Sequence, residues 1–455
     1  MYWRRLCLHV SLLLAALLLA ACNNAAGIAG GQGDQNPTSA ATFSGQTTPA
    51  PDAQADQTAT STPTAISVGS PEPTDTSGAC TFPATGTTEA WICDGQILAS
   101  IAGNPATALS DFSYPLLVPN GPALSQSSPD ALLWSPDGNH LAVAFAPAQP
   151  GAGINCYPYI LDVQTQAITR VALPAYPTQA KAPTAAHLAW ADAQTLLIFG
   201  AAPAGSGATS PPGLAGSAGT TSYRYNLTSG KAAALPGITA AASGIVRGSL
   251  LFYLELTPLS QIAGAPGFYK GAALLHRYDL TSQQELGTPL TLGDTLASTT
   301  SSTMLIPGWD ASPDGSQIVY QQTSVTLAAG AAKPTVTSLF WAAQSDGSSP
   351  TPVLVGVGSS SAARLSISPD GASVAATGIQ PGPGTYADSL NGGALHAFTP
   401  ASASAPAWLS DSSGFDASSD FAGDDDVIRY LLSTPGVPAS GTDLIQNARD
   451  PATLP

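Results

Sequence analysis

The sequence predicts an all-β chain, a β-propeller of six four-stranded blades, or seven if residues 89–120 form a blade with the C-terminal strands. Three observations predict it. The hairpin turn Ser-Pro-Asp-Gly recurs at 135–138, 312–315 and 368–371. The intervals between copies fit one repeat length, and a second strand-turn-strand unit follows each copy. The composition agrees: 9% charged residues with 45 Gly and 40 Pro describe a turn-rich chain of short strands.

The turn comes first. Each copy is a short apolar strand, the turn, and an alternating apolar strand, as in Leu-Trp-Ser-Pro-Asp-Gly-Asn-His-Leu-Ala-Val at 133–143. Pro136, Pro313 and Pro369 preset φ, Asp137, Asp314 and Asp370 suit the next position, and Gly138, Gly315 and Gly371 accept the left-handed conformation that closes the hairpin. Ser135, Ser312 and Ser368 open the turn. All twelve residues read as structural rather than catalytic.

Spacing extends the pattern. Ser312 to Ser368 is 56 residues and Ser135 to Ser312 is 177, close to three such steps. Two disguised copies are therefore expected, and HLAWADAQTLLIF at 187–199 and SGIVRGSLLFYL at 243–254 have the flanking strands. AWLSDSSGFDA at 407–417 is a sixth copy. Second hairpins follow at 159–173, 223–235, 274–290 and 339–354, and two hairpins make one blade. EAWICDGQILASI at 89–101 reads as another second-half hairpin, so the simplest closure completes the last blade with it. Trp134, Trp190, Trp309 and Trp408 are expected at equivalent blade positions, in the core between blades.

These repeats resemble the WD40-like propeller repeats of the TolB family, marked by a (Trp/Phe)-Ser-Pro-Asp-Gly-x-x-(Leu/Ile)-(Ala/Val) hairpin. The resemblance covers most of residues 85 to 455 and implies a propeller with an interaction role, without naming a partner.

The first 21 residues read as a signal peptide: Arg4 and Arg5, an apolar run from Leu6 to Leu19, then small residues. Leu19-Ala20-Ala21-Cys22 resembles the bacterial lipobox, which implies acylation of Cys22 and a lipid anchor on an extracytoplasmic membrane face. Residues 22–78, rich in Thr, Ser, Pro and Ala, read as a disordered linker spanning about 40 Å, and residues 79–455 as the propeller domain. Of five cysteines, Cys7 leaves with the signal and Cys22 takes lipid. Cys80, Cys93 and Cys156 remain; Cys80 and Cys93 could close a short loop, and a free thiol is the alternative.

Arg4 and Arg5 leave with the signal, so the mature chain carries 11 basic residues against 29 acidic ones, net −18. That balance excludes a nucleic-acid reader and favours basic partners or divalent cations. Asp411, Asp416, Asp420, Asp424, Asp425 and Asp426 crowd a Ser/Gly-rich stretch expected to be a loop. Asp416, Asp420, Asp424, Asp425 and Asp426 are a calcium candidate there, against the plainer reading of a solvated acidic loop. No other cofactor is expected.

The sequence lacks a Gly-x-Ser-x-Gly elbow, His-Glu-x-x-His, paired CxxC, Walker loop and dinucleotide fingerprint. His140, His187, His276 and His396 read as packing or surface residues. The functional expectation is a monomeric, membrane-anchored module that binds a protein or envelope component and does no catalysis. The alternative is a propeller-type hydrolase or lyase acting on a glycan or lactone at the channel mouth.

Overall fold

The structure, a computed structural model, describes residues 88–93, 96–101, 104, 107–111, 127–147, 158–171, 173, 187–201, 221–238, 241–299, 301–379, 384–390, 395–398, 404–421, 424–432, 442–445 and 448–453. Residues 1–21, the linker 22–78, Cys22, Cys80 and Cys156 lie outside them. Among the described residues every regular element is a strand.

The strands fall into five four-stranded sheets and one of eleven strands that holds two further sets of four. In chain order, β1 (Glu89–Cys93), β2 (Gln96–Ser100) and β3 (Thr107–Asp111) wait for a partner at the C-terminus. The first complete blade is β4 (Ser127–Trp134), β5 (His140–Pro147), β6 (Tyr159–Asp162) and β7 (Ile168–Arg170). The second is β8 (His187–Asp192), β9 (Thr195–Ala201), β10 (Thr221–Asn226) and β11 (Lys231–Ala234). The third combines β12 (Ala241–Arg247), β13 (Leu250–Leu256), β15 (Phe268–Asp279) and β16 (Gln284–Glu285), with β14 (Ser260–Gln261) beside the far end of β15. After β17 (Leu290–Ser298) and β18 (Ser301–Leu305) comes the fourth: β19 (Trp309–Ala311), β20 (Gln317–Thr326), β21 (Thr335–Gln344) and β22 (Thr351–Val353). The fifth is β23 (Arg364–Ile367), β24 (Ser373–Thr377), β25 (Thr385–Ser389) and β26 (His396–Phe398). The sixth is β27 (Ala407–Trp408), β28 (Gly414–Phe421), β29 (Asp424–Leu431) and β30 (Thr442–Ile445). Last, β31 (Ala448–Thr453) pairs antiparallel with β1.

The inner strands β4, β8, β12, β19, β23, β27 and β31 touch in that order, and β31 touches β4 again. The ring therefore closes with seven sets of four among the described residues. This is the second of the two counts left open by the sequence, in place of the expected six. The N-terminal hairpin does not complete the blade begun at 407, because β29 and β30 already do. Residues 442–445 and 448–453 carry little strand character in the sequence, and Pro451 argues against a strand. The structure accommodates it where the β1–β31 register shifts between Ala90 and Ile92, a bulge that needs no N–H at that point.

The Ser-Pro-Asp-Gly turns share one geometry. Gly138 N donates to Ser135 O (2.9 Å) and Ser135 N to His140 O (2.8 Å), with Gly138 at φ 69°. The buried Ser135 hydroxyl donates to Asp137 Oδ1 (2.6 Å) and accepts from His140 N (2.9 Å). Ser312 with Asp314 and Gln317, and Ser368 with Asp370 and Ser373, repeat this arrangement. At 409–414 the same closure forms with Ser412, at φ 60°, standing where the others have Gly.

Trp134, Trp190, Trp309 and Trp408 are all buried. Trp190 and Trp408 each donate an indole N–H across a seam, to Leu133 O and Ser366 O (both 3.0 Å). Trp309 is not equivalent to them. It opposes Tyr320, while Ala311 opposes Ile318 at the position matching Trp134 opposite Leu141. The displacement is two residues, which keeps it on the same strand face.

Candidate functional site

One end of the ring is made of paired turns, and the pairing repeats. In six of the seven sets the residue after the third strand donates its N–H to a carbonyl in the first turn. The pairs are Val163 to Asn139 (3.0 Å), Leu227 to Gln194 (2.9 Å), Leu280 to Ser249 (2.9 Å), Ser345 to Ser316 (2.8 Å), Leu390 to Ala372 (2.9 Å) and Leu432 to Ser413 (2.9 Å). Both turns of a blade thus lie at the same end and are tied together. A rigid loop surface loses little entropy on binding, which suits recognition.

This turn face presents carboxylates. Asp314 is held down at about 2, first by the Ser312 hydroxyl and then by the Ser316 amide and hydroxyl. Asp411, bound by the hydroxyl and amide of Ser413, is also lowered, as are Asp279 and Asp346 by the turn residues after them. At Asp137 and Asp370 partial burial pushes upward, but hydrogen bonds from Ser135 and Asn139, and from Ser368 and Ala372, outweigh it. Such groups stay ionised near neutrality and cannot act there as general acids; their chemistry is electrostatic. The acceptors Asp162, Asn226 and Asp279 in the second turns went unremarked in the sequence, although LDVQT, YNLTS and YDLTS carry a common signal.

The acidic stretch near the C-terminus is not a loop. Asp416 and Asp420 lie on β28 and Asp424, Asp425 and Asp426 on β29, in a hairpin that opposes Asp420 to Asp425. A ladder of paired strands fixes these backbones, and residues 414–418 of β28 are buried on both faces. Asp416 is fully buried, and its two oxygens accept from Arg429 Nε and Nη2 (2.8 Å each). Arg429 thus occupies both oxygens of Asp416. Among the described residues no group of three His, Cys, Asp or Glu is placed to hold a metal ion. Cys93 ends β1.

Two other polar clusters are ordered, one joining blades and one within the third blade. Asp310 Oδ1 accepts from Ala311 N (2.8 Å) and Arg247 Nη2 (3.2 Å), and Oδ2 from Ile367 N (2.7 Å), which joins the third, fourth and fifth blades. On the outer half of the third blade, His276 stacks on Tyr253 with ring centroids 4.6 Å apart. Its Nε2 lies 2.9 Å from Glu255 and its Nδ1 3.5 Å from Glu285, and the Tyr253 hydroxyl donates to Glu285. Burial, then Glu285, pushes the Tyr253 phenol far up, so it stays protonated. His140 lies 3.9 Å from Asp162, His187 Nδ1 accepts from Gly244 N (3.5 Å), and His396 lies beside Phe398.

Ring closure by inner strands and four-stranded antiparallel sets decide the architecture. The fold is an all-β propeller. No protein-family model and no curated protein matches the chain. Among solved structures, TolB from Acinetobacter baumannii is 12% identical, over 82% of this chain and 67% of that one, with a TM-score of 0.38. An oligogalacturonate lyase in complex with manganese is 13% identical over 76% and 96% of the two chains, TM-score 0.36. Prolyl oligopeptidase B from Galerina marginata is 12% identical over 82% and 52%, TM-score 0.41. At these identities the likeness is one of fold.

Proposed function

We propose that this chain is an extracytoplasmic lipoprotein, anchored through Cys22 behind the 22–78 tether, whose propeller binds a basic protein or envelope component and does no catalysis. The turn face supports this reading: ordered turns from five of these blades carry carboxylates held ionised, on a chain of net charge −16. Complementary charge steers such a partner and makes its binding salt-dependent. The full chain, immobilised in detergent and exposed to envelope extract, is expected to retain one protein that elutes with salt. Replacing Asp137, Asp314, Asp370 and Asp411 together with Asn keeps the turn acceptors and removes the charge, and is expected to abolish retention. Retention unchanged in that variant overturns the reading.

A second reading, a hydrolase or lyase acting on a glycan or lactone, is favoured by one observation, the Tyr253–His276–Glu255–Glu285 cluster. It predicts turnover of a sugar or lactone panel that Tyr253→Phe and Glu285→Gln abolish. Absence of turnover with the folded chain removes it.

A further inference from the structure

The seam between the second and third blades opens on the turn face as a groove of about 250 Å³. It is lined by Leu197, Leu235 and Leu280, the first two buried and Leu280 half-buried, and by Arg224 and Asp192 from the second blade. Tyr278 crosses the seam, donating to Pro236 O (3.1 Å), and fixes the walls against each other. Arg224 lies opposite Leu197 on β10, which turns it toward this seam, while its neighbours Tyr223 and Tyr225 pack into the core on the other side.

The charges are what single the groove out. Arg224 is exposed, and among the described residues no carboxylate comes within ion-pair distance of it, although the chain has 29 acids and 13 bases. Asp192 accepts Gln194 N at Oδ1 (2.7 Å) and likewise pairs with no cation among those residues. A cation and an anion line one small cleft without meeting each other. At about 30 Å³ per water the volume takes on the order of eight waters or a ligand of similar atom count.

We propose that this groove binds a free apolar α-amino acid of the leucine class. The carboxylate lies on Arg224, the ammonium on Asp192 and the side chain against Leu280. A guanidinium suits a carboxylate because it presents two parallel donors. The claim goes beyond the partner-binding reading and does not depend on it, since it concerns a small ligand in one seam.

The test is calorimetric titration of the full chain in detergent with L-leucine, alongside 4-methylpentanoate, which lacks the ammonium, and 3-methylbutylamine, which lacks the carboxylate. Saturable binding of leucine alone is expected. Arg224→Gln and Asp192→Asn should each weaken it at least tenfold while circular dichroism stays unchanged. Thr281→Trp, which obstructs the groove and leaves both charges, should also abolish it. If 4-methylpentanoate binds as well as leucine and Asp192→Asn changes nothing, the zwitterion assignment is overturned. Failure of leucine to bind folded wild-type chain, or binding that survives Thr281→Trp, overturns it as well. Partner capture by the same preparation reports separately on the proposed function.

Discussion

Arg429 and Glu89 stand 340 positions apart in the chain and meet at 2.8 Å, on the seam where the last strands join the first. The same guanidinium holds Asp416, so one cation serves two buried carboxylates. Breaking a buried pair by removing one partner leaves an uncompensated charge, which costs far more than the pair contributes. Arg429→Met, which leaves both acids, is expected to destabilise the chain by about 3–5 kcal/mol. Denaturant unfolding followed by fluorescence measures it, and a loss below about 1 kcal/mol would contradict this account.

Asp416 titrates unusually. Burial pushes its carboxyl up to about 6; the Arg429 hydrogen bonds and charge pull the other way, and the Glu89 charge adds to the push. The folded value exceeds the unfolded one near 3.8, so this group favours folding most below pH 4. That contribution is lost as pH rises through about 6. Wild-type stability measured against Asp416→Asn should therefore fall between pH 4 and pH 6.5; a flat difference would refute it.

The buried serines of the turns should matter more than the exposed ones. Ser312→Ala removes a hydroxyl that both donates to Asp314 and accepts from Gln317 N, at an expected cost of about 1–2 kcal/mol. Ser316→Ala, at an exposed position of the same turn, is expected to cost less than about 0.5 kcal/mol. Thermal melts of the two variants decide the order.

Gln166 and Gln283 occupy left-handed backbone, at φ 58° and 57°, where the second blade has Gly230 at φ 64°. A side chain there is strained by about 1–2 kcal/mol, and glycine gives back part of that through chain entropy. Gln166→Gly and Gln283→Gly are each expected to raise stability by up to about 1 kcal/mol, read as a higher melting temperature.

Gly293 is different, because both conformation and space require it. It has φ 125°, and a Cβ there would lie 2.7 Å from Thr323 N and nearer still to the Thr323 carbonyl. This is where β17 runs beside β20, with Thr323 donating to Asp294 O and Lys270 paired to Asp294 at 2.7 Å. Gly293→Ala is expected to cost about 2 kcal/mol or more and to loosen β17 from the fourth blade, read by proteolysis and unfolding.

Much of the ring was legible. Hairpins with explicit Pro-Asp-Gly chemistry announce themselves, and the 56-residue step located β8–β9 and β12–β13, where Ala193-Gln194 and Gly248 replace the turn. Residues 442–445 and 448–453 are not legible as strands, since their pairing depends on β29 and β1 rather than on their own polar and Pro-containing sequence. The acidic hairpin at 414–431 read as a loop because Asp and Ser are poor strand formers alone; the ladder and the Arg429 contact override that preference. Arg224 and Asp192 gave no signal, as they are 32 residues apart and carry no motif.

The sequence alone determined the blades: local turn chemistry and alternation act over a dozen residues and need no distant partner. It also determined that the chain is acidic and turn-rich. Only the tertiary structure decided that seven sets close the ring, that Asp416 belongs to Arg429, and that Arg224 and Asp192 share a groove. Each of these rests on contacts between segments far apart in the chain, whose geometry is set by how blades pack, and packing is not encoded in any one stretch of residues.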